Sequence, residues 1–118
     1  MWNYEFYQDD GGNEPVKDFL LSMDSKRRGK MLQIIQILSE FGHTLPFPYS
    51  SQVEGKMREL RTHYGKSLYR ILYYCDSEGV FVLLHVFEKR TQKIPERDFK
   101  IARERMESDQ IRKEVSDD

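Results

Sequence analysis

Cysteine is nearly absent. The chain of 118 residues has one, Cys75, which rules out an intramolecular disulfide and any zinc site built on cysteines. Embedded in an apolar stretch, it reads as a small core residue. Long apolar runs are missing too. None approaches the ~20 residues of a membrane span, and none sits near the N-terminus behind basic residues. The chain reads as cytosolic, with no membrane partner. Histidine is scarce, at 3, and neither carboxylate pairs nor histidine clusters occur at metal-ligand spacing. The sequence therefore implies no metal and no cofactor. Internal repeats and low-complexity blocks are also lacking. At this length one domain with one modest core is expected.

Charge is present in both signs: 19 Lys/Arg against 20 Asp/Glu, a net of −1. The balance conceals a division. Between Gly55 and Arg105 stand 12 Lys/Arg and 7 Asp/Glu, while acidity collects in Glu5 to Glu14 and in Glu107 to Asp118. A moderately basic middle suits a polyanion, but it suits a mixed solvated surface equally well.

The periodicities alternate between strand and helix. Trp2 to Gln8 is rich in aromatics and reads as a strand. Asp9 to Asn13 is a turn, after which Pro15 opens a helix at a position where its missing N–H is harmless. Val16, Phe19, Leu20 and Met23 recur at helical spacing. Asp24 or Ser25 can cap a second helix, with Met31, Ile34, Ile35, Leu38 and Phe41 as its apolar stripe. Gly42 stops it. Val53 to Arg61 predicts a strand of poor alternation, because Met57 and Leu60 fall on opposite faces; a bulge would repair that. Ser67 to Cys75 and Val80 to Lys89 are strands apolar on both faces, hence central, joined by the loop Asp76 to Gly79. Pro95 starts a third helix with Phe99, Ala102 and Met106 inward. The domain is expected over 1–107, followed by a polar, frayed tail over 108–118.

Within "SLYRILYYC" stands Arg70, a charge that cannot be neutralised, in the middle of an apolar strand. Either the fold pairs it, with Glu59 on the neighbouring strand as the obvious partner, or a ligand uses it. If Cys75 faces Val80 across the loop, Arg70 falls opposite His85, and Lys66 opposite Lys89 on the same face. Such a row suits phosphodiester cleavage. Arginine clamps phosphate oxygens, histidine moves protons near neutral pH, and lysine stabilises added charge. His85 is thus the expected acid or base, and also a plausible satisfied core residue. Tyr69, Tyr73 and Tyr74 suit sheet packing, though an exposed ring such as Tyr73 could stack a base.

"MRELR", then "LYRILYY", then "VFVLLHVFEKRTQKIPERDFKIARER" resembles the phage Gp49-like, HigB-type toxins of the RelE/ParE superfamily. The likeness extends from "YEFYQDDGGNEPVKDFL" to about Glu107. It implies an α+β fold: an N-terminal strand, a helical hairpin, an antiparallel sheet of three further strands and a C-terminal helix. It also implies the toxin of a type II toxin–antitoxin pair, an endoribonuclease that cleaves mRNA on the ribosome. Its partner would be a helix-turn-helix, HigA-like antitoxin, with operator DNA reached only through that antitoxin. The resemblance assigns Arg70 to the scissile phosphate and points to Lys89, Arg90 and Lys93 after the last strand, with Arg61 a further candidate. Lys89 and Arg90 thus join Arg70 and His85 as expected catalytic groups, and Arg58 and Lys66 join Arg61, Lys93 and Tyr73 as expected RNA contacts. The chain departs from its relatives in one respect. Where they carry two lysines and a late tyrosine, it has Met57, Glu59 and Glu96. The same superfamily allows two other readings: a gyrase-poisoning toxin without nuclease chemistry, and an inactive module that only holds an antitoxin.

Overall fold

A computed structural model describes residues 1–116. In chain order it contains strand β1 (Tyr4–Phe6), helices α1 (Pro15–Ser22) and α2 (Ser25–Phe41), and a 3-10 turn (Gly42–Thr44). Next come strands β2 (Ser50–Glu54), β3 (Met57–Tyr64), β4 (Ser67–Cys75) and β5 (Phe81–Lys89), then helix α3 (Glu96–Ser116). The class is α+β, as expected. The sheet order is β1-β5-β4-β3-β2, with β1 parallel to β5 and the other neighbours antiparallel. No helix among the described residues is long and apolar enough to cross a membrane.

The sheet is one strand richer than expected. The stretch Val53 to Arg61 is the end of β2, a turn at Gly55 and Lys56, and the start of β3. Gly55 sits at φ +55°, a conformation that favours glycine. The β2–β3 pairing does slip at Val53, but that irregularity lies on β2 and is not what sends Met57 and Leu60 to opposite faces. Strand β3 is covered on both faces, so its apolar residues point both ways.

The covering is done by helices at apolar spacing. On one face α1 and α2 bring Val16, Leu20, Met31, Ile35 and Leu38 onto Leu60, Ile71, Tyr73, Leu83 and Val86. Asp24 caps α2 by accepting from the Arg27 N–H. On the other face α3 brings Ala102, flanked by Phe99 and Met106, onto Met57, Leu72, Tyr74, Leu84 and Phe87. Each large apolar side chain buried in these layers contributes about 1.5–3 kcal/mol.

The end of α3 corrects the expected frayed tail as far as Ser116; residues 117 and 118 lie outside the described residues. Asp109 is buried and accepts a hydrogen bond from the Tyr74 hydroxyl. Lys113 Nζ reaches Asp109 at 2.9 Å, Asp76 at 2.8 Å and Glu5 at 2.7 Å. Burial works against the charge of Lys113, but these carboxylates outweigh it and hold its pKa above the ordinary lysine value. A polar helix with little apolar surface is thereby tied to β4, β1 and the β4–β5 loop.

The strand register departs from expectation in a specific way. Cys75 faces Phe81, not Val80, and a bulge leaves Leu84 without a partner on β4. One residue of offset from the loop and one from the bulge put Arg70 opposite Phe87 and Leu72 opposite His85. The expected pairing of Arg70 with His85 is therefore wrong, and so is that of Lys66 with Lys89, which faces Leu68. Because the total slip is two, each side chain keeps its face and moves one pair along.

Gly42 closes α2 at φ +55°, and a Cβ there would run into the Trp2 indole. Gly42→Ala should lower stability by about 1–3 kcal/mol through backbone strain and this clash. In a Trp2→Ala background the same change should cost only the strain. Denaturant unfolding of the four proteins checks this; equal costs in both backgrounds would refute the contact.

Candidate active site

Beyond the first turn of α3 the sheet face turns from apolar to cationic. Period 2 places Glu59 and Arg61 of β3, Arg70 of β4 and Lys89 of β5 on this face. Arg61 and Arg70 are directly paired across the strands. Glu59 is buried. Its Oε1 accepts from Arg61 Nε at 2.8 Å and from the Ser51 hydroxyl at 3.3 Å. Its Oε2 accepts no hydrogen bond and lies 3.9 Å from Arg70 Nε, which is itself unpartnered.

Arg70 therefore answers the question that its strand raises only in part. The expected Glu59 partner is there, but Arg61 has the short contact. Arg70 keeps 11% of its side chain exposed and donates through Nη1 to the Tyr69 carbonyl at 3.1 Å. Burial draws its pKa below the ordinary arginine value; Glu59 opposes that shift and Arg61 adds to it. Lys89 is 9% exposed. Burial lowers its pKa also, opposed by Glu59 and reinforced by Arg70 and Arg61. Three cations thus share one carboxylate, a local net of +2.

The two-residue slip decides which groups meet. It puts Phe87 opposite Arg70, brings Lys89 one pair nearer to Arg70 and moves His85 one pair away. His85 stacks on Phe87, ring centroids 5.7 Å apart, so Phe87 stands between it and the cations. Its Nε2 lies 2.7 Å from Asp98 Oδ1, and its Nδ1 lies 3.4 Å from Arg105 Nη1. Since Arg105 can only donate, Nδ1 is the acceptor and Nε2–H donates to Asp98. Burial lowers the His85 pKa; Asp98 opposes this and Arg105 adds to it. In this arrangement His85 joins β5 to α3, and its ring does not reach Arg70.

The remaining sequence candidates scatter. Arg58 lies on the opposite face, its Nε 3.2 Å from Ser50 Oγ. Tyr73 is buried in the core, with its hydroxyl on Ser50, and presents no ring to a base. Lys66 is exposed in the β3–β4 turn. Arg90 is exposed just after β5, with Glu88 3.8 Å away, and Lys93 is exposed in the connection to α3. One neighbour of the cluster gave no sequence signal: Phe47, whose ring stacks on the Arg61 guanidinium at 4.8 Å.

A family profile described as "Phage derived protein Gp49-like (DUF891)" matches residues 18–107. The chain belongs to this family. The Gp49-like family is one of RelE/HigB-like toxins, which implies an antitoxin partner in general. A comparison with curated proteins returns no match. The match to the Gp49-like family covers the whole of β2 to β5, and hence every residue of the cationic cluster.

The electrostatics of the cluster make two expectations. Glu59→Gln should destabilise by about 3–5 kcal/mol, because buried Lys89 and the part-buried Arg61 and Arg70 lose the one carboxylate they share. Arg70→Met should leave the melting temperature unchanged or raise it, since Arg61 and Lys89 remain for Glu59. Thermal unfolding of both variants checks this, and a large loss for Arg70→Met would make that arginine structural. For His85 the folded state disfavours the proton, so below its ordinary pKa of 6.5 the unfolded state binds more protons and stability falls with pH. The melting temperature should drop from about pH 7 to about pH 5 more steeply in the parent chain than in His85→Gln.

Proposed function

We propose that this Gp49-like protein is the toxin of a type II toxin–antitoxin pair and acts as an endoribonuclease on mRNA, with the ribosome as the place of cleavage. The observation that carries this reading is the cluster of Arg61, Arg70 and Lys89 around Glu59, at the position where the family likeness puts the scissile phosphate. Its geometry supports phosphate binding. Arg70 Nε has no hydrogen-bond partner and only a long, 3.9 Å ion-pair contact with Glu59, and Lys89 Nζ forms no hydrogen bond or ion pair among the described residues. Both have lost hydration without gaining a full set of partners, so an anion has donors waiting for it.

RNA's own nucleophile sets the steps. The 2′-OH gives its proton to solvent water as it attacks the adjacent phosphorus, and the 5′-oxygen leaves, giving a cyclic phosphate. Arg70 and Arg61 hold the non-bridging oxygens and stabilise the charge that develops on them. Lys89, its pKa lowered, hands a proton to the leaving oxygen more readily than an ordinary lysine. Arg90 and Lys93, exposed next to the cluster's strand, bind flanking phosphates. His85 takes a positioning role: it secures α3 through Asp98.

Growth arrest on induction tests the reading. Arg70→Ala should abolish arrest and the loss of full-length mRNA, while the purified variant keeps its melting temperature. A fully toxic variant would take Arg70 out of the mechanism. DNA damage with intact mRNA would favour gyrase poisoning. No arrest from the parent chain, with a co-purifying partner, would favour an inactive antitoxin-binding module. If phosphate contacts dominate, RNA affinity falls steeply as salt rises.

A further inference from the structure

Phe47 is 69% exposed, an unusual place for a phenylalanine beside a charged cluster. It lies in the turn between the 3-10 helix and β2. That turn is held by two hydrogen bonds, from the Tyr49 and Ser50 N–H groups to the Pro46 carbonyl. A third, from the Arg61 N–H to the Tyr49 carbonyl at 2.9 Å, ties the turn to β3. The ring itself is supported by the Arg61 guanidinium. That guanidinium is in turn held by Glu59, and by the Ser51 hydroxyl at 3.0 Å. Phe47 is therefore an exposed aromatic plane in a fixed position at the rim of the cations, not a side chain adrift in solvent.

The surroundings select among occupants. A protein partner would find only the rings of Phe47 and Tyr49 beside a local net charge of +2, a poor hydrophobic hot spot. A single-stranded nucleic acid brings, at one spacing, a flat base and an anionic phosphate. Base–aromatic stacking tolerates any sequence, because every base has a π-face. An aromatic ring already stacked on a guanidinium extends naturally into a stack of three. Tyr49, also exposed and two residues on, gives the turn a second ring.

We propose that Phe47 is a nucleobase platform: one base of a single-stranded RNA stacks on its exposed ring while the neighbouring phosphate rests on Arg61, Arg70 and Lys89. This rests on the ribonuclease reading and adds to it a site that grips the base beside the cut. Phe47 touches substrate and fixes its approach; it moves no proton.

The test uses the full chain carrying Phe47→Trp and a short RNA made uncleavable by 2′-O-methylation. A single-abasic series of the same RNA, at low salt, completes the set. The parent chain, whose one tryptophan is Trp2, supplies the background. RNA should quench the introduced tryptophan, and removing one particular base should abolish the quench. Binding by anisotropy should weaken about 5- to 150-fold in Phe47→Ala and comparably in Phe47→Leu, and recover in Phe47→Trp, as expected for loss of one stacked base. Phe47→Leu keeps the apolar bulk, so full affinity there would overturn stacking. RNA that binds Phe47→Trp in an Arg70-dependent manner, with no change in the fluorescence of the introduced indole, would overturn this inference and leave the nuclease reading standing. RNA binding insensitive to Arg70 and Lys89, or no binding at all, would overturn both.

Discussion

The buried carboxylate of Glu59 is the constraint on which the cationic end of this molecule depends. Two arginines and a lysine converge on one face of a sheet, each largely withdrawn from water. At a separation of ~4 Å, like charges repel by roughly 4 kcal/mol even at an effective dielectric constant of 20. Without an acid among them, such residues would fray the ends of β3, β4 and β5 apart. Glu59 sits on the same face as all three and binds the nearest, Arg61, tightly enough to be held by it. What it does not do is complete the hydrogen bonding of Arg70. Its second oxygen and the Arg70 Nε face each other too far apart to bond. The carboxylate stabilises the cluster without quenching it.

The opposite end of the same face solves an opposite problem. There α3 is a polar helix that must be fixed to an apolar sheet. Its small inner residue, Ala102, lets it approach closely, and the Tyr74–Asp109–Lys113 network then locks its far turns. The His85–Asp98 bond secures its beginning. These attachments run from His85 to Asp76, and the cations begin where they stop. The helix therefore serves as a lid over the apolar half of the face and as a boundary for the charged half.

Much of this was legible in the chain. Helical spacing marked α1, α2 and the inner face of α3, because each helix buries one stripe. The central strands are legible because they carry apolar residues on both faces. β2 is hidden in the sequence because four of its five residues are polar and, across a turn at Gly55, its end looks continuous with β3. The α3 tail was misread for a related reason. Asp109 and Lys113 look like solvated residues until Tyr74, Asp76 and Glu5 are placed around them, and no local pattern announces such a network. The register shows the limit most sharply. A hairpin's first pair is a one-residue decision and a bulge such as that at Leu84 carries no residue signature, yet together they decide whether His85 or Phe87 stands opposite Arg70. Phe47 was invisible for the same kind of reason: its significance lies wholly in the Arg61 beneath it.

On the nuclease reading, the charge count itself favours catalysis over mere binding. A phosphodiester carries one negative charge, and in-line attack by an ionising hydroxyl raises the charge on the phosphoryl group toward two. A site of net +2 is overcharged for the substrate and matched to the transition state, which is the direction in which an interaction must strengthen to accelerate a reaction. A second carboxylate in the cluster would bring the site to neutral against the ground state and remove that preference. The lysines that relatives carry on this strand would shift it the other way. By placing Glu59 there instead, the chain keeps its core stable while leaving Arg70 and Lys89 short of a counter-charge that only a developing dianion supplies in full.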